Sequence, residues 1–266
     1  MTNYRREIDG LRGISIILVI LFHAKIPFFS GGFFGVDIFF VISGYLITTI
    51  ILELYKKNSF SLVKFYEKRV RRIIPALYIL LSILVFYSYF FQAPYFAKDL
   101  SQSIFFTSTF FQNFLNIYEA ANYFSLTYDL KSLGHAWSLS IEEQFYAFYP
   151  IVVLVLLTKM KKIFNFFIII LFLLSLIFYL YLGSDQKYTI WLFYLTPSRI
   201  WEILIGCIIA LNFFKIKNIK FLPQLGFLLI LSSIFIQDFY NYQLLLRIFV
   251  VIGTSMILIS SFKNDE

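Results

Sequence analysis

Eight stretches of this sequence are apolar enough, at roughly 20 residues each, to cross a bilayer as helices. They run approximately Leu11–Phe28, Phe33–Leu52, Ile73–Phe91, Trp137–Leu157, Phe164–Leu182, Ile190–Phe214, Leu222–Gln237 and Tyr242–Phe262, the seventh being short. Of the 266 residues 60% are hydrophobic and only 14% are charged, more apolar side chain than a water-soluble domain of this length can hide. The expected fold is an all-α, polytopic transmembrane helix bundle. A single cysteine, Cys207, excludes a disulfide scaffold, and the hydrophobicity excludes a disordered chain. The net charge of +8 points to loops facing anionic lipid rather than to nucleic acid. Arg12 and His23 interrupt the first apolar stretch, so it is not read as a cleavable signal.

Loop charge predicts the orientation. With the N-terminus inside, the cytoplasmic segments hold Arg5, Arg6, Lys56, Lys57, Lys64, Lys68, Arg69, Arg71, Arg72, Lys159, Lys161, Lys162, Lys215, Lys217, Lys220 and Lys263, 16 of the 23 basic residues. The outer segments hold four: Lys25, Lys98, Lys131 and Lys187. That bias places both termini in the cytoplasm. Ser103–Leu115 is apolar but short and broken by polar residues. It reads as an interfacial or re-entrant helix within an outer loop over roughly Gln92–Ala136. Glu53–Arg72 reads as an amphipathic helix along the inner surface.

Ionisable side chains within spans carry the functional information, because each is costly in lipid and faces the bundle interior or a wet cavity. Here they are Arg12, His23, Asp37, Glu142, Glu143, Arg199, Glu202 and Arg247. Arg12 and His23 are eleven residues apart, which returns to nearly the same helix face with a rise of about 16 Å. One stripe would carry a guanidinium near the inner boundary and an imidazole near the outer one. His is the side chain suited to base chemistry near neutral pH; the alternative is an interfacial His and a snorkelling Arg. Asp37 follows Gly31, Gly32 and Gly35 at the start of the second span. It either favours the helix dipole or orients the His23 imidazole. In His135–Tyr146, Ser138 and Glu142 share a face with His135, but one helix face does not readily give triad geometry. Of the two adjacent acids, Glu142 is the one expected to face inward. Arg199 and Glu202, three residues apart, read as a mutually neutralising pair. Arg69 and Arg72 point together beside the third span, either as positive-inside residues or as a phosphate-binding pair.

Several segments together carry a family resemblance. They are Arg5–Gly13 with the Arg-x10-His spacing from Arg12 to His23, Gly32–Ile47, Phe65–Pro75 with its Arg69-x-x-Arg72, His135–Tyr146, and Arg199–Glu202. In this order the chain resembles the acyltransferase-3 family of bacterial membrane O-acyltransferases. The resemblance implies that a cytoplasmic acyl-CoA, commonly acetyl-CoA, donates an acyl group to a hydroxyl of a surface glycan or lipid-linked saccharide at the outer face. It places Arg12 and His23 on the family's catalytic pair and Arg69 and Arg72 on its acyl-CoA-binding motif. Asp37 or Glu142 is expected to fix the imidazole, and no metal is expected. The location implied is the bacterial inner membrane, multi-pass. The family core continues past the last span seen here. Residues 1–266 are therefore expected to form a single domain shortened at its C-terminus, with a partner chain as one source of the missing helices. A transporter of acyl groups or small anions, or a non-catalytic remnant, are the alternative expectations.

Overall fold

The computed structural model describes residues 5–120, 131–212, 221–239 and 242–260, without the Arg6 side chain. Lys215, Lys217, Lys220 and Lys263, used above for orientation, lie outside the described residues. Eleven α-helices are described: α1 (Arg6–His23), α2 (Gly35–Lys56), α3 (Leu62–Phe91), α4 (Pro94–Ser108), α5 (Gln112–Ala120), α6 (Trp137–Lys159), α7 (Lys161–Gly183), α8 (Thr189–Tyr194), α9 (Thr196–Ala210), α10 (Leu222–Phe239) and α11 (Gln243–Ser260). Short 3-10 turns at Ser30–Phe34, Gly134–Ala136 and Gln186–Tyr188 lead into α2, α6 and α8. No strand occurs among the described residues. The chain is an all-helical, multi-pass membrane protein.

The span count differs from the eight expected. Six helices are long and apolar enough to cross a membrane, or seven if α8 and α9 form one span bent by 54°. The first expected span is α1, which begins at Arg6 and carries Glu7, Asp9 and Arg12 in its opening turns, and these charges keep it out of the count. It stops at His23 because Lys25 and Phe28 adopt left-handed backbone and Pro27 follows. The α8–α9 break falls at Leu195, which is extended, because Pro197 cannot donate a helical N–H. The expected surface helix Glu53–Arg72 is instead interrupted near Asn58, itself left-handed, and its second half runs on without a break through Arg72 to Phe91. Ser103–Leu115 is divided between α4 and α5 at Phe110, another left-handed residue.

The chain clusters into two compact units. The first comprises Met1–Glu53, Lys162–Leu180 and Ile200–Glu266 and is organised around α2. Twelve of its 22 residues are buried, and the burial goes around the helix, as expected of a helix apolar on all sides. Glycines let its neighbours approach to backbone contact. A Cβ at Gly35 would meet the Ser15 carbonyl of α1, and one at Gly32 the Leu18 carbonyl. Between α2 and α9 the approach is mutual: a Cβ on Gly44 would overlap the Ile203 carbonyl, and one on Gly206 the Val41 carbonyl. The buried stripe of α1 is Ile8, Leu11, Ser15 and Leu18.

The second unit comprises Leu54–Lys161 and Tyr181–Arg199. Tyr66 of α3 donates to the Ala147 carbonyl of α6 at 2.7 Å, and Tyr55 to the Leu157 carbonyl at 3.2 Å. Its apolar core holds Leu77, Leu81, Leu100 and Leu133. Beside this lies a buried polar layer on α5. Gln112 bonds Thr107 and Asn116, Asn113 bonds Thr196, and Gln144 bonds both Asn113 and the Phe110 carbonyl. Lys131, with 4% of its side chain exposed, pairs with Glu119 and lies 3.6 Å from Asp99. Burial raises the Glu119 pKa, the Lys131 hydrogen bond and charge lower it, and Asp99 raises it; the net direction is upward.

Gly44→Leu forces the α2–α9 contact apart and is expected to destabilise the protein by about 3 kcal/mol or more, read as a lowered unfolding midpoint in detergent. Lys131→Met removes the counter-ion shared by buried Glu119 and half-buried Asp99 and is expected to cost about 3 kcal/mol. Because the Glu119 pKa is raised on folding, its stabilisation is fully present below the unfolded value and is lost as pH rises through the folded one. Unfolding midpoints across pH should show that loss, and Glu119→Gln should remove it.

Candidate active site

The second unit contains a cavity of about 170 Å³. Tyr66, Arg69, Val70, Ile73 and Ile74 of α3 line one side, and Glu143, Tyr146 and Ala147 of α6 the other, with Phe110 from the α4–α5 corner. These α3 positions repeat every three to four residues, so a single helix face supplies both the guanidinium and the apolar wall. The Arg69 guanidinium lies 3.6 Å from the centre of the Tyr146 ring, a close cation–π contact. Tyr146 in turn donates its hydroxyl hydrogen to Glu142 Oε1. Arg72 is exposed and sits directly before Ile73 of the cavity wall. Phe110 holds a φ of 60°, a conformation costing a non-glycine residue roughly 1–2 kcal/mol. Its carbonyl is gripped by the Gln144 amide at 2.8 Å. Strain maintained by surrounding hydrogen bonds is a feature of functional sites.

This arrangement regroups the expected residues. The sequence reading put Arg69 on the inner side and Glu142 on the outer, yet Tyr146 joins them. Tyr146 is the tenth of the 23 residues of α6, about 20 Å from that helix's C-terminal end. Glu143 lines the cavity, and its Oε1 is buried with no hydrogen-bond partner among the described residues. The charges acting on it are Arg69, Glu142 and Arg72. Choosing between adjacent acids by helix direction favoured Glu142 alone; the signal that would have found Glu143 is its four-residue spacing to Ala147, on the face that meets Tyr66.

In the first unit Asp37 is 1% exposed, and its Oδ1 is 3.4 Å from Arg247 Nε. Glu202 lies 4.0 Å from the same nitrogen, and the Tyr179 ring centre is 5.7 Å from the Arg247 guanidinium carbon. Thus α2, α7, α9 and α11 each send one side chain to a buried polar cluster. Arg247, singled out only as a charge within a span, is its centre. Glu202, expected from i, i+3 spacing to pair with Arg199, also has a longer-range partner in Arg247. Arg199, in the second unit, lies over the rings of Trp137 at 5.4 Å and Phe193 at 5.6 Å.

Arg12 and His23 flank the buried stripe of α1 rather than forming it. Arg12 is 3.9 Å from Asp9. His23 is exposed, and its Nδ1 is 2.8 Å from the Val19 carbonyl. A carbonyl only accepts, so this contact assigns the hydrogen to Nδ1 and makes Nε2 the ring's acceptor nitrogen. His135 is exposed on the 3-10 turn before α6, and the Ser138 hydroxyl reaches its carbonyl at 3.4 Å. Among the described residues no three His, Cys, Asp or Glu side chains gather as metal ligands.

Helices suited to a bilayer and a cavity with an arginine and a carboxylate at its wall describe a multi-pass membrane protein with a polar site between helices, and the sequence comparisons make its class that of an acyltransferase. The sequence matches the acyltransferase domain of the acyltransferase-3 family over residues 5–265, and the chain belongs to that family. The peptidoglycan O-acetyltransferase OatA of Listeria monocytogenes is 40% identical over 220 residues, 79% of this chain and 35% of that protein. The O-acetyltransferase OatA of Staphylococcus aureus is 34% identical over 218 residues, 78% of this chain and 34% of that protein. The chain thus spans about a third of the length of these relatives. No solved structure matches it.

Removing either partner of the Asp37–Arg247 pair upsets the charge balance of the buried cluster they form with Glu202. Asp37→Leu and Arg247→Leu are each expected to cost about 3–5 kcal/mol, with the double variant closer to wild type than their sum. Unfolding midpoints of the two single variants and the double variant measure the coupling.

Proposed function

We propose that this chain is the membrane domain of an O-acyltransferase that moves an acyl group, acetyl in particular, from acyl-CoA to a hydroxyl of a cell-wall glycan or lipid-linked saccharide. The observation that carries this reading is the placement of Arg69, the first arginine of the family motif, on the wall of a half-open cavity with Glu143 and Tyr146. An arginine serving only lipid headgroups has no reason to be drawn onto an aromatic face beside a carboxylate. The donor fits this region by its chemistry: exposed Arg72 suits the CoA phosphates, and the largely apolar cavity suits the pantetheine arm.

Transfer requires the acceptor oxygen to attack the thioester carbonyl. A new carbon–oxygen bond forms, the carbon–sulfur bond breaks, and CoA leaves as its thiolate. The hydroxyl proton goes to His23 Nε2, which the Nδ1–Val19 hydrogen bond presets as the acceptor. Arg12 offsets negative charge on the same helix flank, and Asp37 supports the site through the Arg247 cluster. The basic-residue bias supports cytoplasmic termini, and with them a donor on the cytoplasmic side of a bacterial inner membrane. The relatives named as O-acetyltransferases support acetyl as the group moved and a glycan as its acceptor.

His23→Ala, at unchanged membrane abundance, is expected to lower glycan O-acetylation by about 10²–10⁴-fold, measured by mass spectrometry of surface glycans. Retained acetylation in that variant overturns the role of His23. Arg72→Ala should weaken acetyl-CoA binding and flatten its dependence on salt concentration.

A further inference from the structure

Glu143 is a half-buried carboxylate that the proposed transfer does not yet use. One of its oxygens is enclosed without a hydrogen-bond partner among the described residues, in a unit whose polar layer on α5 is extensively bonded. Leaving such an acceptor unsatisfied is costly, and an apolar wall offers it nothing. The neighbouring charges narrow what can satisfy it. Arg69 compensates the carboxylate, while Glu142 and Glu143 together oppose a phosphate entering the cavity. The Tyr66 hydroxyl already donates to Ala147. A neutral chain bearing an N–H or O–H donor fits this set of groups.

From this geometry we infer that Glu143 is a substrate-contacting residue, whose buried oxygen accepts a hydrogen bond from an N–H or O–H of the neutral molecule filling the cavity. The inference rests on the acyl-transfer reading and deepens it. It divides the arginine motif into two tasks. Arg72 serves the anionic end of the donor at the exposed face, and Arg69 serves as counter-ion to Glu143 within. The hydrogen-bonding group belongs either to a pantetheine amide of the donor or to the sugar hydroxyl of the acceptor, and both present the same chemistry to the carboxylate.

Two measurements on the purified full chain in lipid nanodiscs test it. In the first, dicyclohexylcarbodiimide, which labels carboxyl groups in apolar surroundings, is applied with and without acetyl-CoA or a chitooligosaccharide, and modified peptides are read by mass spectrometry. Labelling at Glu143 that acetyl-CoA suppresses identifies the donor amide, and labelling that the oligosaccharide suppresses identifies the acceptor hydroxyl. Either result supports the inference. Labelling absent from Glu143, or unchanged by both ligands, overturns it.

The second compares acetyl-CoA turnover and binding in wild type, Glu143→Gln and Glu143→Leu, with Glu53→Gln, at the end of α2 and outside the cavity lining, as control. Glutamine keeps a carbonyl acceptor in the same shape, whereas leucine removes it. The expected result is a loss of about tenfold to a hundredfold in kcat/KM for leucine and a smaller one for glutamine, with unfolding midpoints of the variants alike. Equal losses in both variants, or none, overturn the inference. Wild-type chain that neither binds nor cleaves acetyl-CoA would overturn the acyl-CoA reading itself, a result distinct from active wild type with an indifferent Glu143.

Discussion

Charge held away from water must find its opposite, and this requirement organises both compact units. In the first, Arg247 of α11 takes Asp37 of α2 and Glu202 of α9 as its partners, under the ring of Tyr179 of α7. Apolar helix faces slide over one another at little cost within lipid, where no hydrophobic force holds them in register. A guanidinium that must meet two carboxylates allows one register only. The glycine contacts at Gly44 and Gly206 then bring α2 and α9 close enough for that alignment.

The same rule operates on a smaller scale in the second unit. Lys131 draws Glu119 and Asp99 together, and the amide and hydroxyl groups of α5 bond one another and the start of α9. These contacts fix the α4–α5 corner, so that Phe110 remains in a left-handed conformation beside the cavity. Arg69 and Glu143 face that space together. Their opposite charges allow a polar wall among apolar residues without a net buried charge.

The family's sequence signature covers the whole chain, whereas the described contacts group its motifs by unit. Arg12, His23, Asp37 and Glu202 belong to the first unit, and Arg69, Arg72, Glu142, Glu143 and Arg199 to the second. Each group has an internal chemical logic. The first holds the His23 ring against the Val19 carbonyl and has a charge-paired helix core. The second joins a basic motif to two acids through one tyrosine ring.

The all-helical membrane class, and most span positions, were legible in the sequence, because apolar run length and burial in lipid are local properties. That α1 is a helix carrying both Arg12 and His23 was legible too, but their place beside the buried stripe Ile8, Leu11, Ser15 and Leu18 was set by packing. Span count was less so: the left-handed residues and Pro197 that break helices at Phe110 and Leu195 act through single backbone angles, which average hydropathy does not register. Pairing of charges was decided only by tertiary structure. The sequence offered no sign of an Arg247 partner for Glu202, and loop charge separated Arg69 from Glu142 by a membrane's thickness. Helix packing set Glu202 beside Arg247 and brought Arg69 to the acids of α6. A salt bridge depends on the distance between side chains after helices dock, and sequence separation carries no information about that distance.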